Sequence, residues 1–297
     1  MTEPAKTANL AGAGSLTLPV LICTLGIFIL SGMDAAMKSL VIAIGVYNTV
    51  MWRSVLATAT AGAIWLSGAR SWPTAAVLRL HALRAVIIGI ILILFFWGLA
   101  RVPLAEAIGL SFIAPLIALY LAALLLGERI RRQIIWASLS GIVGVAIIIA
   151  GQFGQLDYSQ DVVLGSMAVL ASTVFYAYNL ILSRRQAILA TPAEIMFFQN
   201  LTLVVILLLP APWLAAVPAG DLWLPLAGAT ALSLGGQFLM IWAYARAEAQ
   251  YLIPTEYSAF IWAIAFGWYF FDEVAGWTTV VGAGLIIAAC LIAARTK

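Results

Sequence analysis

The chain is poor in charge. Asp, Glu, Lys and Arg make up 9% of its 297 residues, against roughly 25% in soluble domains. So few charges cannot cover a globular surface in water, which excludes a soluble fold. Histidine occurs once and cysteine twice, with Cys23 and Cys290 inside apolar runs. That scarcity argues against a disulfide framework or a metal site, and nothing calls for a cofactor. The G-x-S-x-G, H-E-x-x-H and phosphate-loop patterns are absent from the sequence. The chain does not read as an enzyme, and ATP hydrolysis within it is excluded on motif grounds. A cleaved signal peptide is not expected, because the first apolar run is too long for one and no clear cleavage site follows.

What is present is apolar: 64% hydrophobic residues and a mean hydropathy of +1.09. The apolar runs are continuous over roughly 20 residues, the length of a membrane-crossing helix. A transmembrane barrel would alternate instead. The expected fold is all-α and integral to the membrane, with ten transmembrane helices at 17–42, 47–67, 80–100, 104–126, 133–151, 162–182, 194–213, 222–246, 250–270 and 276–294. The connections are short, and prolines such as Pro73, Pro192 and Pro210 punctuate them.

A repeat organises these spans. The stretch from Trp97 through Arg101 to Glu128 returns as Trp242, Arg246 and Glu273, all at one offset of 145 residues. Trp, Arg and Glu are scarce here, so three ungapped matches mark a duplication. The expected division is a cytoplasmic segment 1–16, a first five-helix repeat 17–151, a periplasmic linker 152–161, a second repeat 162–294 and a tail 295–297.

Orientation follows from basic residues near the span ends. Lys6, Arg70, Arg79, Arg84, Arg129, Arg131, Arg132, Arg184, Arg185, Arg246, Arg295 and Lys297 fall on one side; only Lys38, Arg53 and Arg101 fall on the other. Both termini are therefore expected in the cytoplasm of a bacterial-type inner membrane. An odd number of spans per repeat makes the second copy enter from the opposite face. The result is an inverted-topology repeat, with a substrate site expected between the halves.

The R-x-x-x-x-E-A run at Arg101–Ala107, then Pro115, Gly127-Glu128, and Gly141 and Gly144 in the fifth span, resemble the EamA-type domains of the drug/metabolite transporter superfamily. Within it, the chain is similar to exporters of aromatic amino acids of the YddG type. The resemblance implies a transporter of small metabolites in a lipid bilayer, with an amino acid as substrate and no nucleic-acid partner. A nucleotide-sugar or other metabolite exchanger is the alternative within the class. A non-transporting scaffold or receptor is the alternative outside it.

Ionisable residues within spans need a reason, because a charge in hydrocarbon is costly. Asp34 and Lys38 are four apart on one helix face and read as a neutralising pair. Arg53 reads either as a clamp for a substrate carboxylate or as a partner for Asp34. Glu106 reads as a local pair with Arg101. Glu256, just after Pro254, reads as a proton-coupling site, a counter-charge for a substrate ammonium, or an acceptor for backbone freed by the proline. Tyr176, Tyr178 and Asn179 in span 6, with Gln237 and Trp242 in span 8, suit an amphiphilic small molecule in a central cavity. Trp97 is the repeat counterpart of Trp242. Trp65, Trp72, Trp213 and Trp223 read as interfacial anchors, and His81, between Arg79 and Arg84, as solvated.

The charge bias generates a topology test. Cysteines at Asp157 and Asp272 should react with an impermeant thiol reagent added to intact cells, and one at Arg131 should not. Labelling at position 131 overturns the orientation.

Overall fold

A computed structural model describes residues 17–68, 72–126, 132–153, 160–247, 252 and 255–294. The expected end segments 1–16 and 295–297 lie outside the described residues. So do Arg70, Gly127, Glu128, Asp157, Pro254 and most of the linker. Among the described residues the secondary structure is helical, without strands.

The first helix, α1 (Thr17–Ser67), covers the two first predicted spans. Only Gly45 leaves the helical region inside it, at φ 76° and ψ 157°. That backbone conformation is open to glycine and strained for other residues, so the chain reverses there without a loop. The arm after Gly45 lies along α7 (Pro192–Leu208). Tyr47 donates to the Leu207 carbonyl, and Asn48 and Trp52 both bond the Ala216 backbone.

Two threonines start helices. Thr74 caps α2 (Ala75–Leu99), accepting from the Val77 amide at 3.4 Å, and Thr191 caps α7, accepting from Glu194 at 3.3 Å. Side-chain acceptors of this kind satisfy amides that a first helical turn leaves free. Cap Thr74 starts α2 five residues earlier than the predicted span.

The predicted fourth span is broken. It forms α3 (Leu104–Ser111) and α4 (Ala114–Leu126), interrupted at Phe112 and Ile113. Pro115 falls in the first turn of α4, where its missing N–H costs nothing. The ninth span breaks in the same way at Tyr257 and Ser258, ahead of α10 (Ala259–Phe271). The offset of 145 residues carries one break onto the other. Their rings touch: Phe112 and Tyr257 meet edge to face at 5.3 Å.

The remaining helices are α5 (Arg132–Phe153), α6 (Gln160–Leu189), the single turn α8 (Ala211–Leu214), α9 (Trp223–Tyr244) and α11 (Trp277–Ala294). The most extensive packing pairs α1 with α9, α5 with α11, and α2 with α6. All three pairs run antiparallel. Cys23 faces Met240 while Leu30 faces Gly236; Gly98 faces Gly165 while Arg84 faces Asn179; Gly151 faces Thr278 while Gly144 faces Gly282. A wide set of large apolar side chains stays exposed, among them Leu21, Ile42, Leu124, Trp136, Leu224 and Phe270. Stretches Thr17–Ser67, Ala75–Leu99, Gln160–Ser183 and Gly220–Tyr244 are long and apolar enough to cross a membrane, and shorter apolar helices accompany them. The chain is a multi-pass helical membrane protein.

Helices α5 and α11 touch backbone to backbone. A Cβ on Gly282 would lie 2.5 Å from the Gly144 carbonyl oxygen, and one on Gly144 would lie 2.7 Å from that of Gly282. Gly282→Val should therefore force the pair apart at about 1–3 kcal/mol, read as a lower thermal unfolding midpoint in detergent. Gly284→Ala, whose added carbon meets nothing within 4 Å, should leave the midpoint unchanged. Equal midpoints for the two variants contradict this packing.

Candidate functional site

At one end of the bundle, the first arm of α1 brings up Lys38. Asp272 caps α10 in the left-handed region at φ 53° and turns the chain so that Glu273 folds back. Lys38 Nζ donates to the Glu273 carboxylate, and to the Val102 carbonyl at 2.6 Å. The other Glu273 oxygen accepts from the Leu104 amide at 2.7 Å. This tie joins α1, the α2–α3 turn and the α10–α11 turn. It corrects the expected Asp34–Lys38 pair: the helix offers Asp34 four residues away, but Glu273 arrives with a backbone carbonyl beside it. Glu106 also departs from expectation. It is buried, accepts from Thr279 Oγ1 at 3.3 Å and lies within electrostatic reach of Lys38. The Arg101 guanidinium instead lies 3.6 Å over the Trp97 ring and donates to the Trp97 carbonyl.

Toward the middle, the two arms of α1 bring Asp34 and Arg53 within electrostatic reach of each other. Arg53 is 8% exposed. Its Nη1 donates to Ser233 Oγ at 3.1 Å, and that hydroxyl accepts also from Gln237 Nε2 at 3.1 Å. Its Nε–H has no hydrogen-bond partner. Burying a guanidinium with donors unspent is costly. Five N–H groups in a rigid fork are also the natural match for a carboxylate. Asp34 beside it supplies a carboxyl group.

The far end carries a longer polar chain. Arg84 on α2 donates through Nε to Asn179 Oδ1 at 2.9 Å and through Nη1 to Gln186 Oε1. Gln186 meets His81 Nδ1, and His81 Nε2 faces Glu194 Oε1 at 3.3 Å. Tyr176 is 45% exposed yet within electrostatic reach of Arg84 and Glu256, which come from other helices. Its exposed face therefore borders a space among helices. Tyr244 donates to the half-buried Glu256, and the neighbouring Thr255 hydroxyl bonds Cys23.

Two expectations need correction here. His81 is fully buried and stacked on Phe198 at 5.7 Å, not solvated, because α2 begins roughly two turns before it. Trp65 is buried among Phe197, Phe198 and Trp72 rather than anchored at a surface, while Trp72 and Trp213 are exposed. Trp223 is half-buried against Trp52.

Trp242 repeats the geometry of Trp97. Arg246 lies 4.0 Å over its ring and donates to its carbonyl. The recurring W-x-x-x-R spacing is thus a cation–π clip one helical turn long. Tyr178 is half-buried and Gln237 exposed. The structure therefore divides nine of the ten expected site residues, Tyr178 making no contact among the described residues that assigns it. Asp34 and Arg53 lie within electrostatic reach in the middle, with Gln237 joined to Arg53 through Ser233, while Tyr176, Asn179 and Glu256 belong to the far end. Lys38 belongs to the near end, and Trp97 and Trp242 hold their own arginines. His81, Gln186, Glu194 and Ser233 were missed. Thr74 after Trp72-Pro73 is the signal that would have placed His81 inside a helix.

Internal polar clusters within a multi-helix apolar shell define a membrane transporter of small molecules, and the comparisons agree. The profile of the EamA-like transporter family matches residues 17–150 and 163–295, so the chain belongs to that family. The pseudopaline exporter CntI of Pseudomonas aeruginosa is 29% identical over 94% of this chain and 96% of its own. A riboflavin transporter of Vibrio cholerae is 25% identical over 70% of this chain and 68% of its own. The aromatic amino acid exporter YddG of Ancylobacter novellus is 29% identical over 34% of each. A crystal structure of a protein superposes with TM-score 0.63 at 18% identity, covering 95% of this chain and all of that one.

Proposed function

We propose that the chain is a secondary transporter of the bacterial-type inner membrane that exports a small amphiphilic metabolite. An amino acid with an aromatic or apolar side chain is the first candidate. Transport runs by alternating access between two inverted five-helix halves, ten transmembrane helices in all, with both termini in the cytoplasm. The halves are 17–151 and 162–294, joined by 152–161 on the periplasmic side.

Support for the inverted repeat comes from the packing. Swapping halves by the offset of 145 residues exchanges the antiparallel pair α1–α9 with α2–α6 and returns α5–α11 to itself. Both broken helices lie where the repeats meet, and discontinuous helices at a repeat interface are a recurring way to build a substrate site. The basic bias makes the Lys38–Glu273 end the outer one and the His81 end the cytoplasmic one.

The single observation that carries the substrate class is Arg53. A buried guanidinium with an idle Nε–H, beside the acid Asp34, is complementary to a molecule bearing both a carboxylate and an ammonium. Ser233 and Gln237 extend the polar wall. Tyr176, Tyr178, Asn179 and Glu256 would line the cytoplasmic approach together with Trp242, while its repeat counterpart Trp97 would border the pathway at the outer end. Lys38 is spent on the outer tie, and Glu256 is a second acid that an ammonium could visit or a proton could use.

Counterflow in proteoliposomes tests this reading. Unlabelled phenylalanine should compete with labelled phenylalanine, whereas phenethylamine, which lacks the carboxylate, should compete poorly. Arg53→Gln should weaken exchange roughly tenfold to a hundredfold, the worth of a hydrogen bond to a charged group. Equal competition by phenethylamine, or unchanged exchange in Arg53→Gln, removes the carboxylate clamp.

A further inference from the structure

The polar chain at the His81 end has a hydrogen-bond inventory that can be closed by elimination. Arg84 only donates. It gives one N–H to Asn179 Oδ1 and another to Gln186 Oε1. The Gln186 oxygen is thereby committed, so the group that meets His81 Nδ1 is the Gln186 NH2. An NH2 donates, and Nδ1 must accept. The proton of the neutral ring then sits on Nε2, facing Glu194 Oε1 at 3.3 Å. Both ring nitrogens are spoken for in a side chain with no exposed surface.

That arrangement has no place for a second proton on the ring. An imidazolium carries N–H on both nitrogens, and the new one at Nδ1 would point at the Gln186 NH2. Turning the amide over relieves the ring but presents the NH2 to Arg84, again donor against donor. Relief requires the Gln186 amide to leave its present contacts with Arg84 and His81. The charge balance pulls the other way. The charged groups facing the ring are Arg84 from its own helix and Glu194 from α7. Tyr176 of α6 lies beyond Arg84, and Glu256 beyond Tyr176. From the second arm of α1, the neutral Trp65 packs on Phe198 behind the ring. Among the described groups, the Glu194 carboxylate at Nε2 is the one that favours a second proton on the ring. A proton is favoured by charge and refused by the hydrogen bonds. An element with those opposed demands has two states.

We propose that His81 is a proton-binding site that operates a latch at this end of the transporter. The neutral ring holds α2 to α6 through Gln186 and Arg84. The imidazolium keeps Glu194 of α7 and lets that bridge go. The proposal rests on the transport reading for its meaning, since release of the bridge would link opening of this end to a proton. Its test needs no substrate.

His81 is the only histidine in the chain, so protein with nitrogen-15 in the histidine ring gives one pair of imidazole signals. The full chain, purified with a histidine-free tag and placed in lipid nanodiscs, is titrated between about pH 8 and pH 5. Backbone hydrogen–deuterium exchange of the α2 start and the α6 end is followed over the same range, each rate taken relative to the intrinsic amide rate at that pH. The expected result is the Nε2–H tautomer at the alkaline end. On acidification, double protonation and faster exchange at both helix ends should share one midpoint. Gln186→Glu supplies a carboxylate that accepts from Arg84 and from an Nδ1–H together. It should keep the ring doubly protonated about one pH unit or more further into the alkaline range, with exchange that no longer responds to pH. An Nδ1–H tautomer at the alkaline end, a ring still neutral at the acid end, or protonation without faster exchange overturns the latch. Loss of phenylalanine counterflow with this titration intact would refute the substrate reading alone.

Discussion

A charge inside hydrocarbon must find an opposite charge or a full set of hydrogen bonds, and this constraint decides how the helices are held. Lys38 can be buried because Glu273 and the Val102 carbonyl meet it. Glu273 in turn needs the Leu104 amide. Three separate segments are fixed by that one requirement. Arg84 does the same for α2 and α6 through Asn179 and Gln186. Arg101 and Arg246 solve the problem locally, each lying over the tryptophan four residues before it. Arg53 is the one of these cations with a fully buried donor left idle, which is why the proposed substrate contact is placed there.

Between these ties the helices approach closely where side chains are smallest. The α5–α11 contact at Gly144 and Gly282 and the α2–α6 contact at Gly98 and Gly165 are backbone to backbone. Without a hydrophobic drive between helices in lipid, such close packing is what holds a bundle together. Tight crossings and polar ties at the ends leave the middle, where two helices break and the arms of α1 bring Asp34 near Arg53, as the place with unspent polar groups.

Class and family were legible in the sequence because they rest on composition and on a repeat of scarce residues. Trp97, Arg101 and Glu128 against Trp242, Arg246 and Glu273 needed no structure. The helix breaks were only half legible. Pro115 marks the first, but the second, at Tyr257 and Ser258, carries no proline at the matching position, where Phe260 stands. Lys38 was misread because its partner is 235 residues away in the chain, while Asp34 is four. His81 was misread because arginines on both sides suggested a wet helix end. Cap Thr74 placed it deep inside α2, where Gln186 and Glu194 from later helices enclose it. Distant partners leave no mark on local spacing.

We infer that the Lys38–Glu273 tie shuts the polar site in the middle of the bundle off from the outside. The direct measurement is the reaction rate of a cysteine at Ser233 with an impermeant thiol reagent added outside. It should be made in a background where Cys23 and Cys290 are alanine. Labelling should be slow with the tie intact and about tenfold faster in Glu273→Gln, if the lost ion pair is worth roughly 1.4 kcal/mol to the closed state. Fast labelling with the tie intact, or the same slow rate in both proteins, would contradict it.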